Sequence, residues 1–133
     1  QTPVYSEFYD MTEAWNRKVL ENPFVEKDGR WEMDWADFEA KLAEADLFLL
    51  CSPHNPLGIV WTPEELRRMV ELCIKHRVVL FSDEIHSDLI FHGKRHTPTA
   101  SVSDGMWSPA SPAPRPSTWP ACRPPLWCSP TPT

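Results

Sequence analysis

Two short apolar runs, each followed by a polar cluster, constrain the fold of this chain more than any other feature. The runs are Leu47–Cys51 and residues 78–81, and the clusters are Ser-Pro-His-Asn-Pro at 52–56 and Ser-Asp-Glu-Ile-His at 82–86. Between them, Thr-Pro-Glu-Glu at 62–65 has the capping box and the first-turn proline of a helix start. We therefore predict a right-handed β-α-β crossover with two buried parallel strands, the first of them covered on both faces.

Further periodicity predicts helices around this unit. Ser6 is expected to cap a first helix, and Asp34 or Asp37 to start a second. Residues 19–31 mix β-formers with Asn-Pro and Asp-Gly turns and are predicted to be extended with bends. A stripe at helical spacing predicts packing against the sheet: Leu66, Met69, Val70 and Cys73. The fold class is α/β, with a parallel-rich sheet and flanking helices. Such a unit leaves sheet edges and helix faces uncovered, so we expect part of a larger domain.

Length and charge narrow the class of protein. A chain of 133 residues has the size of one domain, and its net charge of −6 argues against a nucleic-acid partner. Without a secretory signal or a membrane-spanning run, the expected location is the cytoplasm. Cys51 and Cys73 are expected to be buried thiols, whereas Cys122 and Cys128 have no metal-like partners. No metal site is predicted.

The composition changes near residue 105. Nine of the 15 prolines fall in residues 109–132, and Asp, Glu, Lys and Gly are absent from Ser108 onward. So many prolines without a hydrophobic period are incompatible with helix or sheet. We predict two parts, a folded unit over residues 1–104 and a disordered proline-rich tail over residues 105–133. The tail is either a docking segment or a segment without selected structure.

Polar residues at the two strand ends are the candidates for chemistry. Asn55 precedes a proline and is held extended, so its amide offers donors and an acceptor; alternatively, it satisfies its own loop backbone. Of Asp83 and Glu84, one carboxylate must point into the site and the other away from it. Alternatively, Ser82 or Asp83 caps the next segment. His86 would lie on the same side as Asp83 if a helical turn begins here.

These paired motifs resemble those of fold-type I pyridoxal-phosphate enzymes, the aminotransferase class I/II family. Pro-His-Asn-Pro-Leu-Gly at 53–58 and Ser-Asp-Glu-Ile-His-Ser-Asp-Leu at 82–89 carry the resemblance, which runs over residues 1–104. His86 replaces the tyrosine that is common in aminotransferases, as in the cystathionine β-lyase (C–S lyase) branch. Gln-Thr-Pro-Val-Tyr at 1–5 and His-Thr-Pro at 96–98 also fit that branch. The implied fold is part of the large domain of such enzymes.

The resemblance implies pyridoxal 5′-phosphate as cofactor. Asp83 would pair with its pyridinium nitrogen, Asn55 would bind its phenolic oxygen with His86 close by, and Tyr5 would stack on its ring. The implied reaction is α,β-elimination from cystathionine or a related cysteine conjugate, with an amino-acid substrate and a homodimeric enzyme. An aminotransferase is the first alternative. A non-catalytic α/β fragment with an interaction tail is an alternative of another class.

The family also needs a lysine that forms a Schiff base with the cofactor. The last lysine of the chain is Lys94, in a Gly-Lys-Arg turn too early for this role. No catalytic residue is therefore predicted, and the chain alone is expected to be inactive. The composition of the tail, rich in Pro, Ala, Arg, Ser, Trp and Cys, is typical of a GC-rich gene translated out of frame. We hypothesise a frameshift between Asp104 and Ser108.

The nucleotide sequence tests this hypothesis. Read one base earlier, codons permitted for Arg-Pro-Ser-Thr-Trp-Pro-Ala-Cys at 115–122 encode Lys-Thr-Phe-Asn-Leu-Ala-Gly-Leu, which resembles the lysine segment of the family. We expect a single-base change near codons 104–108 to open that frame. If no such change restores the lysine segment, the frameshift hypothesis is wrong.

Overall fold

The computed structural model describes residues 1–91 and 93–103, so the tail predicted over residues 105–133 lies outside the described residues. In chain order the elements are α1 (Glu7–Ala14), β1 (Phe24–Lys27), β2 (Arg30–Met33), α2 (Trp35–Leu42), β3 (Leu47–Cys51), α3 (Pro63–His76), β4 (Val79–Asp83) and a short 3₁₀ helix (Thr99–Val102).

The β-α-β crossover is confirmed. β3 and β4 pair in parallel, with a register that runs from Leu47 opposite Val79 to Cys51 opposite Asp83. The pairing continues one residue further, because the Ser52 N–H donates to the Asp83 carbonyl oxygen over 2.9 Å. The polar residues that follow the two strands therefore leave the sheet at the same edge.

Helix α3 links the two strands and begins as its sequence predicts. The Thr62 hydroxyl accepts from the Glu65 N–H over 3.2 Å, and the Glu65 carboxylate accepts from the Thr62 N–H over 2.8 Å. This capping box satisfies two backbone groups that have no partner within the helix. The helix ends at His76, and the C-cap residue Arg77, with a left-handed φ of 60°, turns the chain towards β4.

The turn signal at Asp28-Gly29 explains the β1–β2 hairpin, and a cap signal explains the start of helix α2. Asp28 and Gly29 both have positive φ, 51° and 73°, at the antiparallel turn between the two strands. Asp34 rather than Asp37 starts α2, because its carboxylate accepts from the Ala36 and Asp37 N–H groups. Asp37 instead pairs with Lys41 one turn later, at 2.6 Å.

The hydrophobic core lies between helices α2 and α3 and one face of the β3–β4 pair. The rings of Phe38 and Phe48 meet edge to face, with centroids 4.9 Å apart. The predicted stripe of α3 is buried as expected, with Leu66 and Met69 fully enclosed. Cys51 and Cys73 are both free, buried thiols, as predicted.

The prediction that residues 78–81 form a second buried strand was wrong in part, because one face of β4 is exposed. In β4, Val79 is 55% exposed and Phe81 56%, while Leu80 between them is buried. Successive side chains of a strand point to opposite faces, and in β4 only the face that carries Leu80 is covered by described residues. Val78, predicted as strand, is buried just before β4 begins.

Helix α1 begins after Ser6, but none of its residues is buried. Its Met11, for example, is 52% exposed.

Candidate functional site

A cavity of about 300 Å³ lies at the carboxyl ends of β3 and β4. It is lined by Tyr5, Phe8, Cys51, Asn55, Asp83, Ile85 and His86. All four residues that the sequence predicted for the site are in this lining, although they come from three separate parts of the chain. In open α/β sheets, the crevice at the strand ends is the usual place for a ligand.

The turn after β3 fixes the main chain of Asn55 from both sides. The Asn55 N–H donates to the Cys51 thiol sulfur over 3.3 Å, and the Asn55 carbonyl oxygen accepts from the Tyr5 N–H over 3.1 Å. Gly58, with φ of 64°, closes the turn by donating its N–H to the His54 carbonyl oxygen. Within the described residues the Asn55 side-chain amide has no hydrogen-bond partner, so the alternative in which it satisfies its own loop does not occur.

Asp83 and Glu84 point to different surroundings, as predicted. Asp83 lines the cavity, and one of its carboxylate oxygens accepts from the Ile85 N–H over 3.2 Å. The capping alternative is thus present as well, because this bond holds the turn that follows β4. None of the ion pairs among the described residues involves Asp83. Its carboxylate is therefore available to a cationic group in the cavity.

Glu84 is held on the other side of the strand end. One of its carboxylate oxygens accepts from the Ser82 hydroxyl and the Thr99 N–H, both over 2.9 Å. The other accepts from Nε2 of His96, also over 2.9 Å. Burial acts to raise the pKa of Glu84, but the hydrogen bonds from Thr99, His96 and Ser82 outweigh it and hold this pKa below its usual value. The sequence motif did not reveal this network, since two of the three partners, His96 and Thr99, lie 12 and 15 residues away.

Cys51 is a lining residue that the sequence assigned only to the core. Its thiol accepts from the Asn55 N–H and donates to the Pro53 carbonyl oxygen over 3.4 Å. Burial raises the pKa of this thiol, so it stays neutral near pH 7. Cys51 is the last residue of an apolar run and directly precedes the turn. This position in the sequence could have indicated that its thiol contacts the turn.

His54, next to Asn55, serves the fold rather than the cavity. Its side chain is 1% exposed, and its ring meets that of Phe24 edge to face at 4.8 Å. Nε2 lies 3.4 Å from the Gln1 carbonyl oxygen. Burial lowers the pKa of this imidazole to about 4, despite the opposing contact with Gln1.

In residues 1–91 and 93–103, no group of His, Cys, Asp and Glu side chains is arranged to hold a metal ion. No helix in the same part of the chain is long and apolar enough to cross a membrane.

Comparison with known proteins identifies the class. Residues 1–111 match the profile of the family described as aminotransferase class I and II. The chain belongs to this family, which is pyridoxal-phosphate-dependent.

Individual relatives indicate which branch of the family this chain resembles. Cystathionine beta-lyase PatB of Bacillus subtilis is 51% identical over 106 residues, which are 78% of this chain and 27% of the relative. Protein MalY of Escherichia coli is 40% identical over 109 residues, 80% of this chain and 28% of the relative. The chain therefore spans just over a quarter of the length of these curated relatives.

Two solved structures of pyridoxal-phosphate-containing proteins also match this chain. Cystalysin from Treponema denticola, which contains pyridoxal 5′-phosphate, matches with a TM-score of 0.74 and 38% identity over 77% of this chain and 27% of its own. The pyridoxal-phosphate-bound C–S lyase from Staphylococcus hominis matches with a TM-score of 0.74 and 31% identity, over 78% of this chain and 27% of its own. Both support the predicted fold, part of a pyridoxal-phosphate enzyme.

The buried His54 makes the stability of the fold depend on pH. Its pKa is about 4 in the folded chain and about 6.5 when unfolded. Because the unfolded chain takes up the proton first, the stabilisation is complete above about pH 6.5 and is lost as the pH falls towards 4. Urea unfolding at pH 7 and pH 4.5 is expected to show a contribution of roughly 2 to 3 kcal/mol from this residue.

The variant His54→Gln has no titrating group at this position and serves as the control. It should lose less free energy of unfolding than the wild-type chain between the same two pH values. An equal loss in both proteins would mean that another group causes the effect.

Proposed function

We propose that this chain forms part of the cofactor-binding domain of a pyridoxal-phosphate-dependent C–S lyase. In this proposal Asp83 pairs with the pyridinium nitrogen of the cofactor, and Asn55 donates to its phenolic oxygen with His86 close by. Tyr5 covers one face of the ring. The domain comprises residues 1–104.

One observation carries the proposal: Asp83, Asn55, His86 and Tyr5 line a single cavity at the ends of two parallel strands. The chemistry of these groups suits the ring of a hydroxypyridine. A carboxylate without a cationic partner suits a protonated ring nitrogen, and a side-chain amide without a partner suits a phenolate oxygen. A tyrosine that is 48% exposed offers a flat face for stacking. The volume of about 300 Å³ is at the lower end of ligand pockets, which span about 300–1,000 Å³.

The cofactor, when bound, supplies an electron sink for a substrate carbanion. The contribution of this chain is to bind and orient the ring. Asp83 keeps a negative charge at the ring nitrogen, which favours its protonated form. Asn55 can donate to the ring oxygen without moving its backbone, because its main chain is fixed by Cys51 and Tyr5.

The reaction proposed for the whole enzyme is α,β-elimination, which breaks the C–S bond of cystathionine or a related cysteine conjugate. The names of the relatives with long matches and the histidine at position 86 support it. An aminotransferase is the alternative, supported by kynurenine–oxoglutarate transaminase 3 of Rattus norvegicus, which is 38% identical over 78 residues. We further propose an amino-acid substrate, a homodimeric enzyme and a cytoplasmic location.

The role of Asp83 is tested by ligand binding to the purified chain. Pyridoxine 5′-phosphate is the probe, because it has the ring and phosphate of the cofactor but no aldehyde that would react with surface lysines. Calorimetric titration should detect binding, and Asp83→Asn should weaken it by about 10- to 100-fold, since a charged hydrogen bond contributes about 1.5–3 kcal/mol.

The matched control is Asp88→Asn, which removes an exposed carboxylate from the same segment outside the cavity. It should bind the probe as the wild-type chain does. Equal affinity of the Asp83 variant and the wild-type chain would overturn the role proposed for Asp83.

The reaction is tested in a chimaera, because this chain spans only part of its relatives. Residues 1–104 replace the matching segment of the Bacillus lyase, and pyruvate release from cystathionine is measured. We expect elimination to be retained and to fall at least about 100-fold with Asp83→Asn, because the ring nitrogen loses its charged partner. A well-folded chimaera that transaminates but does not eliminate would favour the aminotransferase.

A further inference from the structure

Glu84 joins the end of β4 to two residues that lie 12 and 15 positions further along the chain. It accepts hydrogen bonds from Ser82 within β4, from His96 in the loop and from Thr99 at the start of the 3₁₀ helix. A carboxylate can only accept, so Nε2 of His96 must carry the proton in this contact. The loop between residues 84 and 99 is therefore closed by one side chain.

The far end of this closed loop is fixed to the core. The 3₁₀ helix packs against α3, and its Thr99 and Val102 are 5% exposed each. His96 is also largely enclosed, with 11% of its side chain exposed. Glu84 thus ties the end of β4 to a part of the fold that is already held by burial.

The near end of the loop carries the site residues. Asp83 directly precedes Glu84, and the Ile85 N–H binds the Asp83 carboxylate. His86 follows within the same turn. Since neighbouring side chains at a strand end point in opposite directions, fixing Glu84 on one side fixes Asp83 on the other.

We propose that Glu84 and His96 are positioning residues, which hold the segment after β4 so that Asp83 and His86 face the cavity. The proposal rests on the proposed function for the identity of the ligand. It explains why two adjacent carboxylates follow one strand, as one meets the ligand and the other anchors the segment. Neither Glu84 nor His96 lines the cavity, so both act through Asp83 and His86.

Two measurements on the full chain test the positioning role of Glu84. Hydrogen exchange of the buried Ser52 N–H, which donates to the Asp83 carbonyl oxygen, reports on the strand end without any ligand. The dissociation constant of pyridoxine 5′-phosphate reports on the cavity. In Glu84→Ala we expect Ser52 to exchange at least about tenfold faster relative to the Val70 N–H of α3, and the dissociation constant to rise about tenfold.

The control is Glu39→Ala, which breaks another contact of a glutamate with a histidine, between α2 and α3. Glu39 binds Lys75 and His76, away from the cavity. This variant should lower the melting temperature while leaving both the relative exchange of Ser52 and the dissociation constant unchanged. Glu84→Gln, which keeps an oxygen for Ser82 and Thr99, should recover most of the wild-type behaviour.

The outcomes separate this proposal from the proposed function. If Ser52 exchange and probe affinity are both unchanged in Glu84→Ala, the positioning role is overturned. A second outcome is that the wild-type chain fails to bind the probe while Ser52 exchange accelerates in Glu84→Ala. That result would support the positioning role and overturn the proposed cofactor site. Should Glu84→Ala not fold, His96→Ala, which removes a single hydrogen bond, takes its place with the same expected directions.

Discussion

The parallel pairing of β3 and β4 is the constraint on which the rest of the structure depends. Its register sets Cys51 opposite Asp83, and one more hydrogen bond joins Ser52 to the Asp83 carbonyl oxygen. A shift of the register by one residue would turn the side chains of one strand to the other face and separate Asp83 from the turn that carries Asn55. The cavity exists because two polar segments leave the sheet at the same edge.

The same arrangement occurs at both strand ends. Backbone N–H groups are hydrogen-bonded there, while polar side chains still face the cavity. After β3, the Cys51 thiol accepts from the Asn55 N–H, and the Asn55 carbonyl oxygen accepts from the distant Tyr5 N–H. After β4, the Asp83 carboxylate accepts from the Ile85 N–H, and the Glu84 carboxylate accepts from the distant Thr99 N–H. The side-chain amide of Asn55 is thereby left without a partner among the described residues, which is the arrangement that the proposed binding site requires.

Local signals predicted most of the fold because they act within a few residues. The capping box at Thr62 and the positive-φ turn at Gly29 depend on hydrogen bonds and backbone sterics of near neighbours. The burial of β4 was predicted less well. An apolar run such as residues 78–81 indicates a strand, but whether both its faces are covered depends on what packs there, and Phe81 remains 56% exposed among the described residues.

The sequence by itself determined the crossover, the start of α3 and the four candidate residues, because spacing and residue type carry that information. The family followed from the paired motifs and is confirmed by the comparisons. Only the tertiary structure decided which carboxylate faces the cavity, that Cys51 supports Asn55, and that His96 anchors Glu84. These contacts join residues from different segments or depend on side-chain direction, and both are fixed only when the chain packs.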